Sequence, residues 1–170
     1  MSDQPIIRRR TQQLNKISDE RVNNQKTQSQ YQPYKDAVWG FINHWYPALF
    51  SNELPEDEVQ GIQICGVPIV LRRVDGKVYA LKDRCVHRGV RMSEKKMCFD
   101  KKTISCWYHG FTFDLNDGRL TTIVGNPEDK LVGTTGVTTY PVHEVAGMIF
   151  VFVREDDYAD EDVPPLEHDL

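Results

Sequence analysis

No run of apolar residues in this 170-residue chain is long enough to cross a membrane as a helix, which needs about 20 in succession. The N-terminus lacks the hydrophobic core of a secretory signal. A glycine-rich nucleotide loop, a nucleophile elbow and a catalytic pair of carboxylates are all missing. A net charge of −4 offers no electrostatic footprint for nucleic acid. Arg8, Arg9 and Arg10 suggest a transit peptide, but Asp3, Asp19, Glu20 and the glutamines around them argue against it. Cysteine is scarce. Cys65, Cys85, Cys98 and Cys106 could pair as disulfides in three ways, yet a chain with no sign of export is expected to keep its thiols reduced. These exclusions leave a cytoplasmic protein of ordinary composition, long enough for one domain with a real core.

What the chain does contain is a pair of short loops: Cys85-Val86-His87-Arg88-Gly89 and, with eighteen residues between His87 and Cys106, Cys106-Trp107-Tyr108-His109-Gly110. Each offers one thiolate and one imidazole. A zinc finger usually groups its ligands by type, two cysteines and then two histidines. Mixed loops of the form Cys-x-His and Cys-x2-His suit a two-iron, two-sulfide cluster whose second iron carries histidines in place of cysteines, the Rieske centre. The physical reason is charge. Each thiolate exchanged for a neutral imidazole removes a negative charge, which raises the reduction potential by roughly hundreds of millivolts. A zinc-stabilised binding module on the same four side chains remains the alternative.

At these residues the chain resembles the Rieske domain of aromatic-ring-hydroxylating, non-haem iron oxygenases. The likeness extends to Phe41-Ile42-Asn43-His44-Trp45-Tyr46-Pro47, Leu81-Lys82-Asp83-Arg84-Cys85, Asn126-Pro127 and Thr139-Tyr140-Pro141-Val142, which resemble the oxygenase subunit of the carbazole dioxygenase and oxoquinoline monooxygenase group. The resemblance implies that Cys85 and Cys106 hold one iron and His87 and His109 the other. It also implies a reductase or ferredoxin as electron donor, the catalytic domain of a neighbouring subunit in a homotrimer as acceptor, and His109 as the exit. The family's mononuclear iron needs two histidines and a carboxylate. Past His109 only His143 and His168 remain, so no catalytic residue is expected here and that iron belongs to a domain beyond this sequence. A free-standing Rieske ferredoxin is the second possibility. By the same resemblance this chain lacks the disulfide-forming cysteines of respiratory Rieske proteins, whose places Gly89-Val90 and Trp107-Tyr108 fill.

Around the ligands, Gly89 and Gly110 are expected to turn the backbone tightly and aim N–H groups at the cluster sulfurs. Trp107 and Tyr108 are expected to shield the cluster, or simply to belong to the core. Arg88 either meets a partner carboxylate or is solvated. Cys65 and Cys98 read as ordinary thiols.

Residues 1–30 form a polar arm, and Tyr34, Ala37, Val38, Phe41, Ile42 and Trp45 fall on one face of an amphipathic helix over 31–47, with His44 as a packing histidine. From there the period becomes two. Strands are expected at 60–65, 69–74, 77–82, 103–106, 111–115, 119–122, 138–143 and 148–153, with turns at Asp75-Gly76 and Asn116-Asp117-Gly118 and a long loop over 126–136. The expected fold is all-β, a Rieske-type antiparallel sandwich or barrel over 48–154 with two cluster-binding loops. Residues 155–170 read as an acidic linker, or as a docking surface for a basic electron donor.

Overall fold

The computed structural model describes residues 41–156 and 158–166. The expected N-terminal arm and the expected helix as far as residue 40 lie outside the described residues. Among the described residues there are ten strands and three single turns of 3-10 helix. The strands are β1 His44–Phe50, β2 Val59–Ile64, β3 Val67–Val74, β4 Lys77–Lys82, β5 Thr103–Ser105, β6 Phe111–Asp114, β7 Leu120–Ile123, β8 Thr139–Tyr140, β9 Val142–Val145 and β10 Met148–Val153. They form three antiparallel sheets, ordered β1-β10-β9, β2-β3-β4-β8 and β5-β6-β7.

The middle sheet serves two cores, and β3 explains how. Its run Ile69, Val70, Leu71 is buried on both faces, as a strand sandwiched between layers must be. Val70 and Val74 pack with Leu81, Ile104, Phe113 and Leu120 toward the β5-β6-β7 sheet. Ile69 and Leu71 pack with Leu54, Ile149, Val151 and Val153 toward the β1-β10-β9 sheet. Arg73 points the same way as Leu71. Its guanidinium makes a bidentate pair with Glu144 of β9 at 2.8 and 2.9 Å and donates to the Leu54 carbonyl at 2.7 Å. Sheets are thereby tied across the second core.

Tight turns set the registers. Cys65-Gly66, Asp75-Gly76 and Ala146-Gly147 each have positive φ at both residues, the primed geometry whose twist matches that of the strands it joins. They close the β2-β3, β3-β4 and β9-β10 hairpins.

Two expectations are corrected. His44–Pro47 is strand, not the end of a helix: β1 pairs antiparallel with β10, His44 opposite Val153 and Trp45 opposite Phe152, with one irregularity between Pro47 and Leu49. The partner lies a hundred residues away, so local periodicity could not reveal it. Pro47 is tolerated because β1 is an edge strand. The single strand expected over 138–143 is two, broken at Pro141, and its halves enter different sheets. The acidic C-terminal segment is also less of a free linker than its composition suggests. Asp156 accepts from Lys82 at 2.7 Å and Thr138 at 2.6 Å, and Trp45 donates its indole N–H to the Pro164 carbonyl at 2.7 Å.

Candidate metal centre

The two cysteine–histidine loops leave different sheets and meet. The first follows β4; the second joins β5 to β6. Their backbones are near copies. Cys85 N–H donates to the Val90 carbonyl at 3.0 Å, and Gly89 N–H returns to the Cys85 carbonyl at 2.8 Å. In the second loop Cys106 N–H donates to Phe111 at 2.7 Å and Gly110 N–H to Cys106 at 2.9 Å. Both glycines have φ of +69°, a conformation that costs a side-chain-bearing residue about 1–2 kcal/mol. Their own N–H groups close the two turns. The backbone N–H groups of His87 and Arg88 act on the Cys85 sulfur, favouring its thiolate.

The donors are sorted by burial. Cys85 and Cys106 are 3% and 1% exposed and belong to the core between the middle and the β5-β6-β7 sheets. Burial pushes Cys85 up to about 11, with the neighbouring Cys106 adding to the rise and the two backbone N–H groups opposing it. The buried Cys85 thiol stays protonated unless a metal supplies the compensating positive charge. His87 and His109 lie exposed at the surface, their rings edge to face with centroids 4.6 Å apart. The pKa of His109 is lowered by partial removal from water, with His87 and Arg88 contributing like charge. A neutral imidazole is the form that binds metal.

Among the described residues no three His, Cys, Asp or Glu side chains stand close enough to hold one metal ion between them. The four donors form a thiol pair below and an imidazole pair above. Two thiols and two imidazoles, one of each from either loop, are a donor set whose chemistry fits a two-iron, two-sulfide cluster.

The supports come from residues with different duties. Trp107, half-buried, donates its indole N–H to the Arg91 carbonyl at 3.0 Å and carries the Lys95 ammonium 4.9 Å over its ring, bracing the second loop against the chain after the first. Tyr108 stands 3.9 Å from His109, centroid to centroid, but is 49% exposed, so it covers one histidine and leaves the edge open. Arg88 is exposed. Cys65 and Cys98 are half-buried free thiols.

Two residues were not singled out by the sequence. Asp83, fully buried, accepts the N–H groups of Met92 and Ser93 at 2.7 and 3.0 Å and the Ser93 hydroxyl at 2.5 Å. It pinches together the ends of the segment that carries Cys85 and His87. Phe111 stacks flat on His87. A buried acidic residue two positions before a ligand, and an aromatic two positions after the other, are the only local hints.

The Rieske [2Fe-2S] domain family matches residues 44–141. The terminal oxygenase component of carbazole 1,9a-dioxygenase from Sphingomonas sp. is 46% identical over 137 residues, covering 79% of this chain and 36% of that protein. Among solved structures, a 2-oxoquinoline 8-monooxygenase component superimposes with a TM-score of 0.77 at 83% identity, over 87% of this chain and 35% of that one. The oxygenase of the reduced oxygenase–ferredoxin complex of carbazole 1,9a-dioxygenase gives a TM-score of 0.71 at 46% identity, over 79% and 33%. The chain thus spans about a third of the length of these relatives.

Proposed function

The chain belongs to the Rieske [2Fe-2S] domain family, and on that footing we propose that it is the electron-transfer domain of the oxygenase component of a multicomponent aromatic-ring-hydroxylating oxygenase. Cys85 and Cys106 would hold the inner iron, His87 and His109 the outer one. The cluster, when bound, supplies one-electron storage between a donor and a mononuclear non-haem iron. The observation that carries the reading is the sorting of donors: two adjacent thiols in the core and two imidazoles at the surface.

Each group of residues has a task in that reading. The buried cysteines keep water from the sulfur side. The exposed histidines bring the conducting edge to where a partner can touch it, and His109 is the exit. Arg88, beside it, is available to a partner carboxylate. The donor is a ferredoxin or a reductase, in keeping with the ferredoxin in the complex of the carbazole-oxidising relative. The acceptor is the catalytic domain of a neighbouring subunit within a homotrimer, in the cytoplasm. The same reading assigns residues 1–30 to an arm, the region from β1 to about residue 154 to the Rieske domain, and the rest to a connection toward the catalytic domain.

The test is metal and acid-labile sulfide per chain on anaerobically prepared protein, with low-temperature electron paramagnetic resonance after dithionite. About two irons and two sulfides, with the anisotropic signal of mixed histidine and thiolate ligation, are expected. His109→Ala should abolish or alter that signal and block electron transfer. One zinc without sulfide, or an unchanged spectrum in His109→Ala, would overturn the assignment.

A further inference from the structure

We propose that Phe111 is a positioning residue of the electron-transfer site, its buried ring fixing the plane of the His87 imidazole. The inference rests on the reading of His87 and His109 as cluster ligands and concerns how the two differ. His87 lies parallel to Phe111, with centroids 4.8 Å apart and planes only 9° from each other. Phe111 is 5% exposed and cannot swing away. It opens β6, pairs with Ile123 of β7, and its carbonyl holds the N–H of Cys106 at 2.7 Å.

The neighbouring histidine is treated otherwise. His109 rests on Tyr108, a half-exposed ring from its own loop, at a tilt of 47°. One imidazole is clamped from the core and the other leans on the surface. The clamp also crosses between loops, because Phe111 follows the second loop while His87 belongs to the first. The torsion that turns an imidazole about its Cβ–Cγ bond is soft and broad, so an unsupported ring samples many planes. A flat, immobile partner removes that freedom. The plane matters because it sets the direction of the ring's outer N–H and the overlap of its orbitals with a bound metal.

Phe113 supplies the comparison. It is fully buried two residues along the same strand and packs only in the core. If Phe111 were mere filling, the two residues would behave alike when shortened.

The experiment uses the cluster-loaded protein and four samples: wild type, Phe111→Leu, Phe111→Tyr and Phe113→Leu. Pulsed electron paramagnetic resonance reads the nitrogen couplings of the two histidines, and redox titration reads the potential. Phe111→Leu should shift or broaden one of the two sets of couplings and move the potential. Phe111→Tyr should restore both, and Phe113→Leu should lower the melting temperature with the spectrum unmoved. A Phe111→Leu spectrum that superimposes on wild type overturns the proposal, as does a Phe111→Tyr spectrum displaced as far as that of Phe111→Leu. Should Phe111→Leu load no cluster, Phe111→Tyr decides: a wild-type spectrum upholds the proposal and a changed one ends it. A wild-type protein without the two-histidine signal would instead remove the reading beneath it.

Discussion

Gly89 and Gly110 hold the same backbone conformation at two places: φ is +69° at both, and each donates its N–H to the carbonyl of the cysteine four residues earlier. Their surroundings differ. A Cβ on Gly89 would meet nothing within 4 Å, whereas one on Gly110 would lie 2.7 Å from the side chain of Val124. Gly89→Ala is therefore expected to cost about 1 kcal/mol, the strain of the left-handed conformation alone. Gly110→Ala should cost roughly 3 kcal/mol, because strain and overlap add. Urea unfolding of the two variants checks this, and equal costs would contradict it.

Asp83 closes the first ligand loop through three hydrogen bonds to Met92 and Ser93. Asp83→Ala leaves one buried and one part-buried backbone donor without an acceptor and should cost about 3 kcal/mol. Ser93→Ala, which removes only the hydroxyl, should cost about 1 kcal/mol. Gly61 lies against this contact, where a Cβ would strike the Ser93 side chain, so Gly61→Ala should reproduce part of the Asp83 defect. Iron retained after gel filtration should fall in the same order as stability.

The pair Arg73–Glu144 bridges two sheets, with side-chain exposures of 13% and 31%. The hydrogen bond from Arg73 holds the Glu144 carboxyl below its ordinary range. Because the folded value is depressed, the stabilisation is fully present above the unfolded pKa of about 4.3 and is lost as pH falls through the lower, folded one. Wild type should exceed Glu144→Gln by about 1 kcal/mol or less at pH 7. Urea midpoints of the two proteins should converge as the pH is lowered below the ordinary glutamate range. A gap that persists unchanged into strong acid would argue against the pair.

Gly118 and Gly133 both have positive φ, +72° and +75°. At Gly118 a Cβ would run into the Val137 carbonyl, whereas at Gly133 it would meet nothing within 4 Å. The β6–β7 turn depends on that close approach, since Val137 N–H donates to the Gly118 carbonyl at 2.9 Å. Gly118→Ala should lose at least about 2 kcal/mol and Gly133→Ala about 1. Melting temperatures measured side by side separate the two.

The proposed ligand set was legible because a metal site with paired loops is written in spacing: Cys85-x-His87 and Cys106-x2-His109 need no tertiary knowledge to be seen. Hairpins were legible for the same local reason. Asp75-Gly76 bounds β4, and the run Met148–Val153 coincides with β10, since alternation and turn chemistry act over a few residues. His44–Pro47 was misread where two local signals competed. Offsets of three and four suggested helix, while its aromatic residues and its distant partner β10 made it strand.

The amino-acid sequence by itself determined which atoms can bind a cluster and where the chain must turn, because both depend on residue type and short spacing. Only the tertiary structure decided that the thiols lie inside and the imidazoles outside, that Asp83 and Phe111 hold the first loop, and that Pro141 splits a strand between two sheets. Those outcomes rest on contacts between segments far apart in the chain, where burial and backbone pairing outweigh local preference.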